Sequence, residues 1–407
     1  MKIVFLCSSL ETGRDGVGDY TMQLAAEVQR LGHKVCVIAL NDPWINERKS
    51  DRSSGIRVLR FPQEQGIAQR ASLAEEELSQ FAPDWVSLQY VCYGFHPKGL
   101  PFKWNRILSA IIPRGSFVHV MLHELWIGVA ECASLRERVV GCLQRRLLSQ
   151  LLATLRPRVV STSNEVYQGI LAKVGISQTL VLPLFGNIPF VAPANPSLTF
   201  AACARQGVEC SVDTKVRFSM GGLFGTLHAE WLSEPFLSLW EKAAAHRGQT
   251  PLLLCAGRLG PGAALWGRLI GRSGGVRFVS LGEQPPEEIS NYLQTLDFGI
   301  ASSPLSLLGK SSVVASMIEH GLPVVANRND WRPRGIRVDV ERQQSIYPLD
   351  DRLGACLTAG LVRGVMKSRL NEIATRFIDK LQENGIESRL LSAHGETHDG
   401  QSAPQYT

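Results

Sequence analysis

Residues 1–40, MKIVFLCSSLETGRDGVGDYTMQLAAEVQRLGHKVCVIAL, decide the fold. The apolar run at residues 3–7 is typical of a strand that is buried on both faces of a parallel sheet. A glycine-bearing loop follows, and apolar residues then recur at helical spacing over 20–31, where Gly32 is placed to end the helix. Residues 35–40 form a second buried run, so the pattern predicts a β-α-β unit with a right-handed crossover.

Strand and helix patterns keep alternating along the rest of the chain. Strands are predicted at residues 57–61, 85–89, 117–122, 159–163, 216–220, 252–257, 276–282, 298–301 and 323–326, and helices at 71–81, 135–155, 231–245, 286–295 and 313–320. Four prolines between the two halves indicate a linker: Pro183, Pro189, Pro193 and Pro196. We therefore predict an α/β protein with two Rossmann-like doubly wound domains, at 1–190 and 191–385, and a flexible tail at 386–407.

The composition is that of an ordinary globular protein. The 407 residues are 44% hydrophobic and 20% charged, which excludes a disordered chain and a collagen-like repeat. The net charge of +6 permits attraction to an anionic membrane surface or a phosphorylated ligand, and it does not call for nucleic acid. The nine cysteines contain no C-x-x-C pair, which disfavours a zinc site or a disulfide framework. With no secretory signal pattern and no long apolar run, we expect a cytoplasmic protein.

Ligands of doubly wound domains bind outside the carboxyl ends of the strands, so the loops that follow strands hold the candidates. The first such loop carries Gly16 and Gly18, whose backbone N–H groups could approach a ligand closely. Thr21 stands where the G-x-G-x-x-G motif needs its third glycine, and Asp42 is the one acidic candidate near the end of the next strand. A tight β-α connection without a ligand is the alternative.

Two further strand ends carry polar residues. His123 and Glu124 follow a predicted strand, where an imidazole could bind a phosphate or a sugar hydroxyl, or act as an acid or a base. A purely structural histidine is the alternative. The turn Gly309-Lys310-Ser311-Ser312 precedes a helix and resembles the end of a P-loop, although Pro304 stands in place of the motif's first glycine. Its lysine, hydroxyls and helix N-terminus favour a diphosphate, and a serine N-cap beside a solvated lysine is the alternative.

The predicted helix at 135–155 and the residues directly after it are basic. They contain one acidic residue, Glu137, and six arginines: Arg136, Arg138, Arg145, Arg146, Arg156 and Arg158. A basic amphipathic helix of this kind can lie on an anionic membrane, which predicts a peripheral contact at the inner face of the membrane through residues 135–158. The alternative is a core-packing helix whose arginines extend to solvent.

Taken in order, these segments resemble the GT-B glycosyltransferases, and most nearly the retaining enzymes of family 4. The motifs are GVGDY at 16–20, LGHKV at 31–35, PDWV at 83–86, LQY at 88–90, the strand end at 123–124 and HGLPVVA at 320–326. The resemblance covers about residues 1–330. It implies a metal-independent enzyme of polysaccharide biosynthesis without a cofactor. Such an enzyme moves a sugar from a nucleotide diphosphate-sugar to a hydroxyl of a glycan, lipid or small molecule in the interdomain cleft.

The resemblance also implies roles for particular residues. His123 would lie near the transferred sugar as the catalytic residue. The candidates for the donor and its phosphates are Gly16, Gly18, Gly225, Thr226, Gly309, Lys310, Ser311 and Ser312. The candidates on the acceptor side are Asp19, Tyr20, Tyr90 and Glu124.

The chain departs from the family at two places. The glutamates of the family's E-x7-E pattern fall at Leu308 and Ser316, and the family's Arg and Lys after the first strand of the second domain have no match in residues 221–228. We expect Lys310 to replace part of that positive charge. A catalytically silent GT-B-like protein that binds a glycan or nucleotide is therefore an alternative, and the first β-α-β unit alone leaves a dinucleotide-dependent oxidoreductase as another.

Overall fold

The computed structural model describes residues 1–231, 233–328, 331–336 and 345–395, with side chains up to residue 385. Within these ranges the strands form two separate sheets with helices on both faces. The predicted fold class, two Rossmann-like doubly wound α/β domains, is confirmed.

The first sheet contains eight strands. They are β1 Lys2–Cys7, β2 Lys34–Asp42, β3 Lys49–Ser53, β4 Ile56–Pro62, β5 Trp85–Tyr90, β6 Phe117–Leu122, β7 Val159–Thr162 and β8 Thr179–Val181. Their order across the sheet is β3-β4-β2-β1-β5-β6-β7-β8, and every neighbouring pair is parallel except β3 and β4. The strand order reverses direction at β1 and β5, which is where an open α/β sheet forms its ligand crevice.

The second sheet contains six strands in the order β11-β10-β9-β12-β13-β14, all parallel. They are β9 Phe218–Phe224, β10 Thr250–Ala256, β11 Arg277–Gly282, β12 Phe298–Ala301, β13 Val324–Ala326 and β14 Ile346–Pro348. The α-helices of the described residues are α1 Gly16–Arg30, α2 Ile67–Phe81, α3 Cys92–Phe95, α4 Phe102–Ile111, α5 Leu135–Leu155, α6 Glu165–Lys173, α7 Ser197–Arg205, α8 Ser233–His246, α9 Ala263–Ile270, α10 Pro286–Thr295, α11 Ser312–Glu319, α12 Leu353–Ala359 and α13 Leu370–Gly395.

The first strand shows why these segments fold as they do. Successive side chains of a strand point to opposite faces of the sheet. Val4 and Leu6 accordingly pack into the core on one face, while Ile3 and Phe5 pack into the core on the other. Both faces are covered by helices, so the strand is apolar at every position rather than at alternate ones.

The end of the chain differs from the prediction. Helix α13 returns to the first domain, where Phe377 lies 5.8 Å from Phe5 between ring centroids and is buried with it in one core. The predicted second domain, 191–385, therefore includes a segment that packs on the first sheet. The predicted tail begins inside α13, which continues to Gly395, and its residues 396–407 lie outside the described residues. An amphipathic helix covers whichever apolar surface is within reach, and its sequence does not name that surface.

Candidate functional site

A cavity of about 540 Å³ lies where the carboxyl ends of β1, β2, β5 and β6 face the second domain. The first domain supplies most of its wall, and α11 and the turn before it supply Lys310 and Ser312. Six of the predicted site residues line this cavity: Gly16, Tyr20, His123, Glu124, Lys310 and Ser312. Residues that are far apart in sequence thus meet at the crevice expected for this sheet order.

The glycine loop at the start of α1 is built differently from a diphosphate site. Asp15 is the N-cap of α1, and its Oδ1 accepts hydrogen bonds from Val17 N at 2.9 Å and Gly18 N at 3.1 Å. Ser9 donates its hydroxyl hydrogen to the other carboxylate oxygen of Asp15. Of the two N–H groups that we expected to be available for an anion, that of Gly18 is therefore occupied by a carboxylate of the chain itself.

Gly18 and Asp19 have structural roles in the same loop. A Cβ on Gly18 would lie 2.7 Å from the carbonyl oxygen of Ser9, so glycine is needed for the close approach of α1 to the end of β1. The Asp19 carboxylate accepts the Gly13 N–H with both oxygens at 3.1 Å and closes the loop. Neither residue lines the cavity. The assignment of Gly18 to the donor and of Asp19 to the acceptor stays a prediction.

Tyr20 and His123 form an aromatic corner with Phe185 of the linker. The Tyr20 ring stacks on Phe185 with centroids 4.7 Å apart, and the His123 ring meets it edge-on at 4.9 Å. The Tyr20 hydroxyl oxygen is buried, and no hydrogen-bond partner is found for it within the described ranges. A buried hydroxyl without a partner is costly, so this oxygen is a candidate to bind a ligand atom.

His123 lies directly after β6 and is only 8% exposed. Its Nε2 is 2.9 Å from Gln89 Oε1, and its backbone N–H donates to the Tyr90 carbonyl oxygen at 3.2 Å. Burial lowers the pKa of His123 to about 3, so the ring is neutral at physiological pH. A neutral imidazole is a hydrogen-bonding group rather than a cation that could neutralise a diphosphate.

Lys310 reaches the cavity from the second domain. Its Nζ lies 3.3 Å from Glu124 Oε1 and 5.9 Å from the centroid of the Tyr167 ring. Burial acts to lower the pKa of Lys310, but Tyr167 and Glu124 outweigh it and leave the pKa raised. The lysine is therefore charged and held at the domain boundary.

The neighbours of Lys310 in the chain, Gly309 and Ser311, have structural roles. Gly309 packs against the start of α6, because a Cβ there would lie 3.1 Å from Asn164 Cβ. Ser311 is the N-cap of α11 and accepts the Val314 N–H at 3.3 Å, which was the alternative expectation for this turn. Neither of the two lines the main cavity.

A second, smaller pocket of about 140 Å³ lies within the second domain, at the ends of β9 and β12 and the start of α11. Gly225, Thr226 and Ser311 line it together with Ser302 and Ser303. Six of the eight predicted donor residues are thus divided between two pockets, and Gly18 and Gly309 line neither. Gly225 has a φ of +73°, which glycine adopts without strain, so a glycine at this position serves the turn after β9.

The two residues that stand where the family has its E-x7-E glutamates are buried and pack within the protein. Leu308 is 5% exposed and belongs to a core cluster of the second domain. Ser316 is fully buried, and its Oγ accepts the Asn187 N–H at 3.1 Å, which ties α11 to the linker. The nearby Glu319 carboxylate accepts the N–H groups of Gly186 at 2.9 Å and Arg369 at 3.2 Å. Glu319 thereby holds the two segments in which the chain passes between the domains, the linker at Gly186 and the segment before α13 at Arg369.

Tyr90, a predicted residue of the acceptor side, lies outside the cavity lining. It is 3% exposed, packs in the first core and stacks on Phe95 with centroids 6.0 Å apart, so it does not line the cavity. Sequence reasoning also missed residues that do line it: Arg14, Asp15, Asn41, Trp44, Tyr93 and Phe185. Asn41 lies in the last two residues of β2, and Trp44 and Tyr93 come within three residues of the ends of β2 and β5, so applying the carboxyl-end rule to every strand would have found them.

In the ranges that the structure describes, no group of three His, Cys, Asp or Glu side chains is arranged to hold a metal ion. All nine cysteines are free thiols. The two domains also touch beside the cavity, where Arg258 Nη2 donates to the Gly13 carbonyl oxygen at 2.6 Å.

No protein-family model matches the chain, and no curated protein sequence matches it. Solved structures do match. Sucrose-phosphate synthase from Thermosynechococcus elongatus aligns with a TM-score of 0.53 at 14% identity, covering 97% of this chain and 100% of that one. The catalytic domain of starch synthase IV from Arabidopsis thaliana, bound to ADP and acarbose, gives 0.55 at 12% identity, covering 94% and 99%.

The α,α-trehalose 6-phosphate synthase from Burkholderia multivorans gives a TM-score of 0.54 at 10% identity, covering 99% of each chain. Identities this low establish the fold alone. The two facing Rossmann-like domains of this chain have the GT-B fold of those glycosyltransferases.

Proposed function

We propose that the protein is a glycosyltransferase that moves a sugar from a nucleotide diphosphate-sugar to a hydroxyl acceptor, as a distant relative of the family 4 enzymes. One observation carries the proposal: Lys310 from one domain and Tyr20 and His123 from the other line one cavity between two sheets of the GT-B arrangement. The structural neighbours named above are synthases of sugar derivatives and starch, one of them holding ADP.

The charge of a leaving diphosphate needs stabilisation, and Lys310 is the residue we assign to it. Its ammonium group faces the cavity beside Ser312, the first residue of α11, whose N-terminus adds a favourable dipole. The ion pair with Glu124 holds the lysine in place until a diphosphate competes for it. In this proposal lysine and helix dipole do the electrostatic work that a divalent metal does in other transferases.

His123 and Tyr20 are assigned to the sugar. The neutral His123 ring can exchange hydrogen bonds with a hydroxyl group, and the unpartnered Tyr20 oxygen offers a second contact nearby. Neither group is a carboxylate nucleophile. A retaining outcome, as in the family 4 enzymes, would therefore proceed without a covalent intermediate on these residues.

Thermal melting with UDP-, GDP-, ADP- and TDP-sugars tests the proposal, because a ligand that binds only the folded state raises the melting temperature. The stabilising donor is then assayed for transfer to a panel of glycan and lipid acceptors. Lys380→Ala is the matched control for Lys310→Ala, because Lys380 also pairs with a glutamate, at 3.0 Å, but on α13. We expect the shift to persist in Lys380→Ala and to shrink in Lys310→Ala. A panel without any stabilising nucleotide sugar would contradict the proposal, and binding without transfer would favour the silent alternative.

We also propose that α5 contacts an anionic membrane surface. No helix in the described part of the chain is long and apolar enough to cross a membrane. Helix α5 exposes three aliphatic side chains at a spacing of four residues, with Leu135 77%, Val139 56% and Leu143 43% exposed. Exposed arginines flank this stripe at Arg136, Arg138, Arg145 and Arg146. Aliphatic groups bordered by arginine fit the interface of a bilayer that carries anionic lipids.

The same helix lies next to the cavity. Gln144 on the buried side of α5 donates to the Tyr93 hydroxyl oxygen at 3.1 Å, and Tyr93 lines the cavity wall. A protein resting on α5 would hold its cavity close to the membrane surface. A lipid-linked acceptor at the inner face of the membrane fits this arrangement.

A further inference from the structure

A chain of hydrogen bonds runs from the cavity into the first sheet. It starts at His123 Nε2, which is 2.9 Å from Gln89 Oε1. Gln89 Nε2 donates to Ser87 Oγ at 2.8 Å, and Ser87 Oγ is 2.8 Å from His119 Nδ1. The chain ends where His119 Nε2 lies 3.0 Å from Ser161 Oγ. It crosses β5, β6 and β7, and all its members are buried.

The donors and acceptors along this series of hydrogen bonds can be assigned. Gln89 turns its carbonyl oxygen to His123, and an amide oxygen only accepts, so the hydrogen of the His123 ring is on Nε2. Ser87 Oγ accepts from the Gln89 amide, and its own buried hydrogen also needs an acceptor. Among the described residues that acceptor is His119 Nδ1, at 2.8 Å. The His119 hydrogen is then on Nε2 and is donated to Ser161.

Neither ring of the chain is charged at neutral pH. Burial lowers the pKa of His119 to about 3, as it does for His123, and each ring therefore has one hydrogen. His119 packs edge-on against Phe377 of α13 at 5.1 Å, an apolar neighbour. His123 faces Tyr20 of α1, and the charged side chains that line the same cavity include Arg14, Asp15, Glu124 and Lys310.

We infer that His119 is a positioning residue, which acts through Ser87 and Gln89 to hold His123 in the tautomer with hydrogen on Nε2. In this tautomer His123 Nδ1 has a lone pair that can accept a hydrogen bond. Among the described residues no group donates to it. Because His123 lines the cavity, the site offers a hydrogen-bond acceptor to a hydroxyl of the substrate. That the substrate is a sugar rests on the proposed function, whereas the assignment of the His123 tautomer is independent of it.

Nitrogen NMR of the histidine-labelled full chain reads the tautomers directly, among nine histidines. His320 is an internal reference of the opposite kind, because its Nδ1 lies 2.7 Å from the Ser316 carbonyl oxygen and must donate to it. We expect His123 and His119 to have hydrogen on Nε2 and His320 to have it on Nδ1, without titration of His123 between pH 5 and 9. Hydrogen on His123 Nδ1 would overturn the inference.

Two substitutions at His119 separate positioning from packing. His119→Asn keeps an acceptor oxygen near the position of Nδ1 and should leave His123 in its single tautomer. His119→Leu keeps the bulk but removes the acceptor, so Ser87 and Gln89 can reorient and His123 should become a mixture of tautomers. An unmixed Nε2–H state of His123 in His119→Leu would refute the role of His119.

Ser87→Ala interrupts the chain at another point and is the second variant if His119→Leu fails to fold. It should give the same mixture of His123 tautomers, and an unmixed state would again count against the inference. If the protein proves to be a transferase, His119→Leu should lower kcat by about tenfold with little change in the KM for the donor, and His119→Asn should restore most of it. Absence of transferase activity would defeat the proposed function and leave the NMR result standing.

Discussion

The ammonium nitrogen of Lys310 lies 3.3 Å from Oε1 of Glu124, and this ion pair joins the two domains at the edge of the cavity. The two side chains are 31% and 44% exposed, so water screens the attraction and the pair is weak by itself. Its position matters more than its strength. It places a charged lysine at the cavity together with a carboxylate that a diphosphate must displace.

The first prediction concerns this pair. Glu124→Gln should strengthen the binding of a nucleoside diphosphate about two- to fivefold, since an exposed pair contributes about 0.2–1 kcal/mol. Lys310→Ala should weaken it about tenfold, because a charge-assisted contact is lost. Isothermal titration at low and high salt measures both changes, which should shrink as salt is added. Equal affinity in both variants and the unchanged protein would exclude Lys310 as the diphosphate contact.

The second prediction concerns acid stability. The pKa values of His119 and His123 fall from 6.5 in the unfolded chain to about 3 in the folded one, so their stability contribution is complete above pH 6.5. It is lost as the pH falls from 6.5 towards 3, by about 1.4 kcal/mol per pH unit for each ring. Urea unfolding between pH 4 and 7 should therefore show a shallower pH slope in His119→Asn. An unchanged slope would mean that His119 is accessible to protons in the folded state.

The third prediction compares two glycines of one loop. Gly18→Ala should destabilise the protein by about 1–3 kcal/mol, because the new methyl group would lie 2.7 Å from the Ser9 carbonyl oxygen. Gly16→Ala meets no atom within 4 Å and should change stability by less than about 0.5 kcal/mol or increase it, since alanine favours the helix. Urea unfolding measures both free energies. Similar losses in the two variants would contradict the close packing at Gly18.

The fourth prediction concerns the unpartnered hydroxyl of Tyr20. Tyr20→Phe should raise the stability of the ligand-free protein by about 1 kcal/mol, because it removes a buried polar atom for which the described residues provide no hydrogen-bond partner. The same change should weaken binding of the ligand identified in the melting screen. Tyr292→Phe is the control, since the Tyr292 hydroxyl donates to the Leu223 carbonyl oxygen at 2.8 Å and its loss should destabilise. Unfolding curves with and without ligand decide both cases.

The fifth prediction concerns the α5 surface. The protein should sediment with vesicles that contain anionic phosphatidylglycerol and remain in solution with pure phosphatidylcholine, and added salt should release it. The double variant Leu135→Ser with Val139→Ser should lose most of this binding. Val362→Ser with Val365→Ser is the matched control, since these residues are 76% and 86% exposed on the second domain. Equal sedimentation of the two double variants would show that α5 is not the contact.

Most strands and helices of the fold could be predicted from local sequence patterns. The apolar run of β1 and the helical spacing of α1 follow from short-range chemistry, because burial on two faces and a period near four are visible in a few residues. Strands β3, β8 and β14 were not predicted. The first is an exposed edge strand and the other two have three residues each, so none has a distinctive hydrophobic pattern.

The candidate site was predicted in part. His123 was named because it follows a strand and Lys310 because it precedes a helix, whereas Tyr20 was named from the resemblance of the GVGDY motif; all three line the cavity. Gly18 shares the GVGDY motif with Tyr20 but lies against the backbone of Ser9. Tyr90 ends the LQY motif but packs in the core, because successive side chains of a strand point to opposite faces. Trp44 and Phe185 lie in segments without a regular pattern and were missed.

The amino-acid sequence by itself determined that this chain forms two α/β domains with glycine-bearing turns, because periodicity and turn chemistry act over a few residues. The tertiary structure alone decided which side chains share a cavity. Lys310 and Glu124 meet across 186 positions of sequence, α13 returns to the first sheet, and Asp15 occupies the helix end that looked open to an anion. Such contacts depend on how separately folded surfaces pack together, and no local pattern encodes that.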